Sequence, residues 1–284
     1  MTAVQVHHFT VDVEEYFQVS AFEPYVSRER WDALPSRVEA SVGLLLELLA
    51  RHNAHGTFFV LSWVAERHRA MVKEIAAAGH EVASHGWDHA RVTQLTPQQF
   101  RESVRRSKAE LEAVSGQPIA GFRAPSYSIV NGLEWALDIL VEEGYTYDSS
   151  LFPVRRRGYG YAGGERDPHW LARPAGRLYE VPPSTLQVCG VNLPAAGGAY
   201  FRIFPYALVA AAIKQAEARG VPATFYIHPW ELDPEQPSFP VSRLTRFRHY
   251  TGLSRTVPRL ERLLSQFQFT AIADTLARAS VPVA

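Results

Sequence analysis

Residues 43–60 read GLLLELLARHNAHGTFFV, an amphipathic leucine-rich helix followed by a short turn and an apolar run with β-strand character. The same order of helix, turn with Gly or Asn, and strand recurs in EIAAAGHEVASH (74–85) and in LVEEGYTYDSS (140–150). Because helices that alternate with strands usually connect parallel neighbours, this pattern predicts a mainly parallel sheet with helices outside it.

Strand and helix patterns alternate along most of the chain. The predicted strands lie at 6–14, 56–62, 80–85, 121–128, 145–150, 178–188 and 222–229. The predicted helices lie at 36–52, 63–78, 97–115, 132–143 and 205–218. With about seven strands, the expected fold class is α/β, and a closed or nearly closed β/α barrel is favoured over an open sheet.

The chain has 284 residues, a length that α/β barrels commonly reach as one domain. No linker or repeat divides it, so a single domain is expected over residues 1–284, with a C-terminal extension from about residue 231. Two stretches break the alternation, because 153–177 is rich in Gly, Arg and Tyr, and 231–258 is rich in Pro and Arg. Long loops of this kind often serve as lids or binding loops.

The composition argues against several kinds of partner. Lys plus Arg and Asp plus Glu each total 29, so the zero net charge gives no electrostatic reason for binding nucleic acid or an anionic membrane. Cys189 is the single cysteine, so no intrachain disulfide and no thiolate zinc cluster can form. Neither a secretory signal nor an apolar run near the roughly 20 residues of a membrane span is visible, so a cytoplasmic protein is expected.

Polar residues gather at the carboxyl ends of the predicted strands, where the active site of a β/α barrel lies. The first strand ends in TVDVEEYF, and strand alternation puts Asp12 and Glu14 on one face and Glu15 on the other. Two carboxylates on an inward face are costly unless they are paired or bind a cation. A solvated acidic strand end is the alternative interpretation.

The third strand ends in ASHGWDH, which places His85 and His89 four residues apart. If the chain turns helically after Ser84, both imidazoles lie on one side, a spacing that suits chelation of one metal ion. Taken alone, the pair is also compatible with two surface histidines, and Asp88 between them could be a partner of a ligand or a helix cap.

Two further strand ends complete the set. Arg123 follows an apolar strand in FRAPSYS, where Pro125 stiffens the turn, and an inward Arg needs an anionic partner such as a carboxylate of the first strand. His228 ends the last clear strand in TFYIHPWELD, and Trp230 after it could line a pocket. Because these residues come from several different strands, a shared site explains them better than independent surface roles.

These motifs together resemble the NodB-homology polysaccharide deacetylases, a family of carbohydrate esterases. The resemblance extends from about Phe9 to Trp230 and is closest to the subfamily found in exosortase (PEP-CTERM) exopolysaccharide loci. It rests on DVEEYF (12–17), SHGWDH (84–89), FRAPSYS (122–128) and YIHPWELD (226–233), with RFRHYTGLSRT (246–256) similar to the C-terminal extension of that subfamily. The resemblance implies a distorted (β/α) barrel, in agreement with the periodicity.

The resemblance also implies a ligand set. The first motif of the family usually holds two adjacent aspartates, but here Val13 follows Asp12. By resemblance to members with a D-x-[DE] variant, Asp12 is the catalytic base and Glu14 is the metal ligand, with Glu15 as the alternative. The second motif makes the two histidines of SHGWDH, His85 and His89, the remaining protein ligands.

The other two motifs imply the remaining roles. Arg123 would orient the base, the segment around Tyr127 would supply a backbone oxyanion donor, and Tyr127 and Pro125 would contact the substrate. His228 would be the general acid, beside a hydrophobic pocket for which Trp230 is the candidate wall.

The cofactor implied is a divalent metal, with zinc expected first and iron, cobalt or nickel also compatible with two His and one carboxylate. The substrate implied is an N-acetylated poly- or oligosaccharide of exopolysaccharide or peptidoglycan type. The expected cytoplasmic location favours a lipid-linked or nascent saccharide at the inner membrane face. The alternatives are a metal-dependent amidohydrolase of small cyclic amides or imides, and an inactive carbohydrate-binding relative. Aromatic residues near loops favour a sugar, with packing inside the loops as the alternative interpretation; they are Tyr159, Tyr161, Trp170 and Trp230. The sequence is compatible with a monomer or a homo-oligomer.

Overall fold

The helix–turn–strand segments of the sequence fold into one predominantly parallel sheet surrounded by helices. The computed structural model describes residues 5–156 and 158–279. Its strands are β1 (Val6–Val13), β2 (Thr57–Val60), β3 (Glu81–Ser84), β4 (Gly121–Phe122), β5 (Tyr147–Asp148), β6 (His169–Arg173), β7 (Gly176–Glu180), β8 (Thr185–Val188), β9 (Val191–Pro194), β10 (Thr224–Ile227) and β11 (Gln268–Thr270).

The helices that the structure describes are α1 (Val38–Arg51), α2 (Ser62–Arg67), α3 (Arg69–Ala77), α4 (Pro97–Ser115), α5 (Trp135–Glu142), α6 (Gly198–Ile203), α7 (Tyr206–Glu217), α8 (Arg243–Tyr250), α9 (Thr256–Gln266) and α10 (Ile272–Ala279). Six of these ten lie where the sequence predicted helices, and α6, α8, α9 and α10 were not predicted. The helix predicted at 63–78 is two helices, because His68 leaves the helical region with φ −122° and ψ 48°. The boundaries of α4 match the prediction since Thr96 forms a capping box with Gln99 and Gly116 ends the helix at φ 70°.

The main sheet has the order β10-β1-β2-β3-β4-β5-β7-β6, and β11 also pairs with β1. The pairs from β10 to β7 are parallel, and β6 with β7 is antiparallel. Between β7 and β10 the chain closes the ring through single contacts, in which the Ser184 N–H donates to Thr224 O (3.1 Å) and the Tyr226 N–H donates to Ala196 O (2.9 Å). The fold is therefore a distorted (β/α) barrel, as predicted.

Strand β1 lies between β2 and β10 and carries the first polar residues of the site. Val11 and Val13 belong to the main hydrophobic core, so strand alternation puts Thr10 and Asp12 on the opposite face. On that face both side chains accept hydrogen bonds from Arg123 Nη1. The carboxyl ends of β1, β3, β4 and β10 thus meet at one end of the barrel.

The irregular regions differ from the sequence prediction. The stretch 153–177 is not a loop throughout, because β6 forms within it and pairs with β7. The strand predicted at 178–188 is two strands, broken at the consecutive residues Pro182 and Pro183, and its second half pairs with β9 in a separate hairpin. The stretch 231–258 contains α8 and the start of α9.

The residues after 258 also add structure that the periodicity missed, since β11 pairs with β1 at Val6–His8. The division into a single domain with an extension stays a prediction. Within the ranges 5–156 and 158–279, none of the helices has both the length and the apolar character that crossing a membrane requires.

Candidate metal centre

Three buried side chains converge at the carboxyl ends of β1 and β3. Glu14 follows the last residue of β1, and His85 follows the last residue of β3. One potential ligand atom from each of Glu14, His85 and His89 lies within 4.8 Å of the other two. This group contains the three residues that the sequence predicted as ligands.

A turn, rather than the expected helix, brings the two histidines together. Residues 85–91 have no helical assignment. Instead Gly86 has φ 80° and His89 has φ 59°, so the chain reverses within four residues. The two imidazole centroids lie 5.6 Å apart. A glycine tolerates the left-handed conformation at position 86, which a larger side chain would strain.

The donor atoms of this group suit a cation. Glu14 Oε2 is buried and has no hydrogen-bond partner among the described residues, although His89 Nε2 lies 2.8 Å away in ion-pair geometry. His85 Nδ1 donates to Arg123 O (2.8 Å). The lone pair of Nε2 on the same ring is therefore free to bind a cation. Two imidazole nitrogens and one carboxylate oxygen form a set that binds zinc and related divalent ions and leaves positions open.

The protonation of these groups agrees with metal binding. Burial alone would raise the pKa of Glu14, but the neighbouring His89 and the other histidines outweigh it and lower the pKa to about 2. Burial lowers the pKa of His85 to about 4, and the nearby carboxylates only partly oppose this shift. At neutral pH Glu14 is therefore charged and His85 is neutral, the forms in which both residues bind metals.

Asp12 is held beside this group by Arg123. Arg123 Nη1 donates to Asp12 Oδ1 at 2.7 Å, and both side chains are almost entirely buried. The guanidinium is fixed from its other side, since Nη2 donates to Ser149 Oγ (2.8 Å) and Nε donates to Ser149 O (3.2 Å). Asp12 Oδ2 remains directed toward His228, whose Nε2 lies 3.9 Å away.

His228 lies opposite Asp12 and Glu14. Its Nε2 is 3.9 Å from Asp12 Oδ2 and 3.9 Å from Glu14 Oε1, and its Nδ1 donates to Glu231 Oε1 at 2.8 Å. Burial would lower the pKa of His228, but the hydrogen bond to Glu231 and the charges of Glu14, Glu231 and Asp12 outweigh it and raise the pKa to about 9. The ring is therefore protonated at neutral pH.

Sequence reasoning missed the two residues that support His228. Glu231 Oε2 accepts a hydrogen bond from Arg202 Nε (2.5 Å), and neither side chain is exposed. Arg202 also donates to the backbone carbonyls of residues 248, 249 and 251 at the end of α8. The i, i+3 spacing of His228 and Glu231 around Pro229 could have indicated their contact from the sequence. Nothing in the sequence near Arg202 indicates its contact with Glu231.

Trp230 has a different environment from the one expected. Its ring stacks on His228 (centroids 5.1 Å apart) and on His249 (4.2 Å), and only 7% of the residue is exposed. Its Nε1 donates to Glu14 Oε1 at 3.0 Å. So little of the ring is exposed that it offers a sugar only a small surface, and the indole N–H orients a potential metal ligand.

The Glu15 carboxylate points away from this group and binds the start of α1. Its carboxylate accepts hydrogen bonds from the Ser36 hydroxyl and from the backbone N–H groups of Arg37 (3.1 Å) and Val38 (3.3 Å), at the start of α1. Burial raises the pKa of Glu15, and these hydrogen bonds oppose the shift. Of the two adjacent glutamates, Glu14 joins the histidines and Glu15 caps a helix.

The segment after Arg123 forms a tight turn beside the site. Pro125 begins it, and Ser126 and Tyr127 have φ values of 53° and 52°. The Tyr127 N–H donates to Ala124 O (3.0 Å), so it is not free to bind an oxyanion. The Tyr127 ring packs on Phe152 and Tyr226, and its buried hydroxyl has no hydrogen-bond partner among the described residues.

Comparison with protein families gives two adjoining matches. Residues 31–147 match the polysaccharide deacetylase family. Residues 149–277 match a domain of unknown function, DUF3473. Together the two matches cover the chain from α1 to α10, and the predicted resemblance to polysaccharide deacetylases is supported.

Two curated relatives are similar to part of the chain. A peptidoglycan deacetylase-like protein, FGM2, of Gibberella zeae is 34% identical over 112 residues, 39% of this chain and 32% of that protein. A peptidoglycan-N-acetylglucosamine deacetylase of Bacillus cereus is 30% identical over 95 residues, 33% of this chain and 34% of that protein. The similarity thus spans about a third of each relative.

Two solved structures share the fold. A Mycobacterium smegmatis protein assigned as a polysaccharide deacetylase superposes with a TM-score of 0.64 at 21% identity, over 98% of this chain and 92% of that one. PuuE allantoinase superposes with a TM-score of 0.61 at 19% identity, over 98% and 92% of the two chains. At these identities the likeness establishes the distorted barrel and nothing about the substrate.

Proposed function

We propose that this chain, whose residues 31–147 match the polysaccharide deacetylase family, is a metal-dependent hydrolase that removes N-acetyl groups from an aminosugar-containing poly- or oligosaccharide. One observation carries the proposal. Glu14, His85 and His89 offer ligand atoms within 4.8 Å of one another, and His228 Nε2 lies 3.9 Å from both Asp12 and Glu14. A ligand set, a carboxylate base and a protonated imidazole are thus adjacent.

Glu14, His85 and His89 would hold the ion. When bound, a divalent ion supplies Lewis-acid polarisation of the acetamide carbonyl and makes water more acidic. Zinc suits this set best, and iron, cobalt or nickel are also compatible with it. Trp230 supports the set by donating its indole N–H to Glu14, which fixes the direction of that carboxylate.

Asp12 is the proposed base. Arg123 donates to Asp12 Oδ1 and leaves Oδ2 facing the site, where it can accept the proton of the attacking water. Arg123 is itself fixed by Ser149 and Thr10, so Asp12 has a defined direction before substrate binds. This arrangement lowers the reorganisation needed during proton transfer.

His228 is the proposed acid. Its pKa of about 9 keeps Nε2 protonated at neutral pH, and Nε2 faces the same space as Asp12 Oδ2. The departing sugar amine is a poor leaving group as an anion, so a proton delivered to its nitrogen is needed for the C–N bond to break. Glu231 accepts from Nδ1 on the far side of the ring and is itself fixed by Arg202, so Nε2 stays directed at the site.

The turn after Arg123 is the proposed oxyanion donor. Because the Tyr127 N–H is used within the turn, the Ser126 N–H is the donor we assign to this role. Pro125 and the left-handed residues 126 and 127 set its direction. The Tyr127 side chain is the part of this segment that we expect to contact substrate.

We propose that the chain belongs to the exosortase (PEP-CTERM) subfamily, and the DUF3473 match over residues 149–277 supports this proposal. The substrate we propose is a saccharide of exopolysaccharide or peptidoglycan type. The curated relatives named as peptidoglycan deacetylases support an aminosugar polymer. A nascent or lipid-linked saccharide at the inner membrane face fits the expected cytoplasmic location.

Acetate release tests the proposal. The purified protein, with and without a chelator, is incubated with N-acetylglucosamine oligomers, peptidoglycan fragments and lipid-linked saccharides. We expect release that the chelator abolishes and added zinc restores. Asp12→Asn and His228→Ala should each lower the rate by on the order of 10²–10⁴-fold.

Near-wild-type rates in both variants would contradict the assigned roles. Release of product only from small cyclic amides or imides would favour the amidohydrolase alternative. No hydrolysis of any substrate, together with saccharide binding, would identify an inactive carbohydrate-binding relative.

A further inference from the structure

Helix α8 exposes two large apolar side chains on one face. Leu244 is 59% exposed and Phe247 is 53% exposed, and their i, i+3 spacing puts them on the same side of the helix. Around the helix they lie between Arg243 and Arg248, which are also exposed. We call these four residues the α8 face. The opposite side of α8 is buried at His249, and none of the roles proposed so far uses the α8 face.

The formal net charge of the chain is zero, but its charges are unevenly distributed. Residues 236–260 hold five arginines and no Asp or Glu. One of the five, Arg259, donates to the backbone carbonyls of residues 201, 202 and 204. The other four are exposed, and none of them forms an ion pair within the ranges 5–156 and 158–279; they are Arg243, Arg246, Arg248 and Arg255. Their charge therefore remains available to an anionic partner.

The chemistry of the α8 face selects an anionic lipid bilayer as its partner. Anionic headgroups attract arginines, and the acyl region takes up Phe and Leu side chains, as with helices that lie in a membrane interface. A soluble polyanion would contact the arginines and leave Leu244 and Phe247 in water. A second copy of the chain would bring like charges together at a symmetric contact, which opposes that pairing.

Helix α8 is fixed to the wall of the metal centre. Arg202 donates to the backbone carbonyls of residues 248, 249 and 251. His249 stacks on Trp230 with the centroids 4.2 Å apart, and Trp230 donates to Glu14. The α8 face and the metal centre therefore lie on opposite sides of one helix, whose diameter is about 10–12 Å. A bilayer that contacts the α8 face is thus held close to the candidate site.

We propose that the α8 face docks the protein on an anionic lipid bilayer. The binding is peripheral and reversible, because two apolar anchors bury far less surface than a spanning helix. The inference deepens the proposed function and rests on it for the source of the substrate, since a saccharide carried on a lipid lies at such a surface. The docking itself requires no hydrolysis, so it is measured separately.

Vesicle flotation of the full chain measures the docking. The protein is mixed with vesicles of phosphatidylcholine alone and with vesicles that also contain phosphatidylglycerol. We expect binding to the mixed vesicles that weakens as salt is raised. The double variant Leu244→Ser/Phe247→Ser should weaken this binding by on the order of 10- to 100-fold, because it removes the apolar anchors. Arg243→Gln/Arg248→Gln should weaken it by about 5-fold for each charge removed.

Two variants elsewhere on the surface are the matched controls. Leu208→Ser removes another exposed leucine, on α7. Arg51→Gln/Arg106→Gln removes two exposed arginines, on α1 and α4. Both variants should bind the mixed vesicles as the wild type does.

A polarity-sensitive dye identifies the surface that enters the lipid. Cys189, the single cysteine, is exposed at the turn between β8 and β9, where Val188 and Val191 form another exposed apolar patch. The dye is attached at Cys189 in the wild type and, in a second protein, at the new thiol of Cys189→Ser/Leu244→Cys. We expect a blue shift with mixed vesicles from the label on α8 and none from the label at Cys189.

Absence of binding to the mixed vesicles, equal losses in the α8 and control variants, or a blue shift only from Cys189 would overturn the inference. Dimers that Leu244→Ser/Phe247→Ser abolishes, without vesicle binding, would identify a second copy as the occupant. Acetate release from soluble oligomers, measured on the same samples, separates the docking from the proposed function. Release without vesicle binding contradicts the docking alone, and vesicle binding without release supports the docking and contradicts the deacetylase activity.

Discussion

At the scale of single residues, the most informative arrangement is the chain of contacts from His228 through Glu231 to Arg202. His228 Nδ1 donates to Glu231, and Glu231 accepts from the fully buried Arg202. The negative charge of Glu231 favours the protonated imidazole, which is the form a general acid needs. Glu231 is thus a positioning residue that acts through His228.

The Glu231→Gln substitution tests this role. The amide keeps the size of the side chain but removes the charge, so the pKa of His228 falls and less of the ring is protonated at neutral and alkaline pH. We expect kcat/KM to decrease by less than the roughly 10²–10⁴-fold loss for removing the acid itself, and the alkaline limb of its pH profile to move to lower pH. The pH profile of acetate release measures both effects.

Glu235→Gln is the control, since Glu235 is exposed and lies four residues further along the chain. A loss of rate in Glu231→Gln with an unshifted alkaline limb would mean that Glu231 only maintains the structure.

At the scale of elements, the two adjacent glutamates at the end of β1 contact different parts of the molecule. Glu14 faces His85 and His89, and Glu15 accepts N–H groups at the start of α1. A carboxylate at a helix N-terminus satisfies otherwise unpaired N–H groups and interacts favourably with the helix dipole. The first turn of α1 therefore depends on the strand that carries the site.

We expect Glu15→Ala to lower the free energy of unfolding by about 1–2 kcal/mol, the usual loss for a helix cap, and to leave the metal content unchanged. Urea denaturation measures the stability, and elemental analysis of the same preparation measures the metal. Stability equal to wild type, or a loss of metal, would contradict the capping role.

The sequence was sufficient for the elements that local periodicity determines. The stripe of Leu45, Leu48 and Leu49 predicted α1, and the alternation in TVDVEEYF placed Asp12 opposite Val11 and Val13. Strand β11 was missed because its three residues are too short to show a period. Strand β4 is shorter than predicted, since the chain after Arg123 bends into a turn with two left-handed residues.

The candidate site was predictable to the extent that its residues stand at strand ends. Five of them do so, His89 lies in the turn that follows β3, and the structure brings all six together; they are Asp12, Glu14, His85, His89, Arg123 and His228. The surrounding contacts were not predictable, because they join distant parts of the chain. Arg202 reaches partners 29 to 49 residues away, and Trp230 stacks on His249 of α8.

At the scale of the whole molecule, His8 joins three elements in a buried network. Its Nδ1 contacts Thr224 Oγ1 of β10 (3.0 Å), and its Nε2 contacts Thr275 Oγ1 of α10 (2.9 Å). Burial, assisted by the charges of His7 and Arg123, lowers the pKa of His8 to about 3. The folded protein therefore holds this ring neutral at a pH where the unfolded chain protonates it.

This shift predicts a dependence of stability on pH. The contribution is fully present above the unfolded pKa of about 6.5 and is lost as the pH falls toward the folded value, with a slope of up to about 1.4 kcal/mol per pH unit. The His8→Gln variant should lose stability less steeply between pH 6.5 and 4 than the wild type. Denaturation by urea at several pH values measures the slopes, and parallel profiles would contradict the prediction.

The central claim is that Glu14, His85 and His89 form one divalent metal site. Its most direct test is the metal content per chain, measured by elemental analysis of wild type and Glu14→Ala after equilibration with limiting zinc and removal of free ion. We expect about one ion per chain in the wild type and a large loss of metal in the variant. A Glu14→Ala protein that retains the full metal content of the wild type would contradict it.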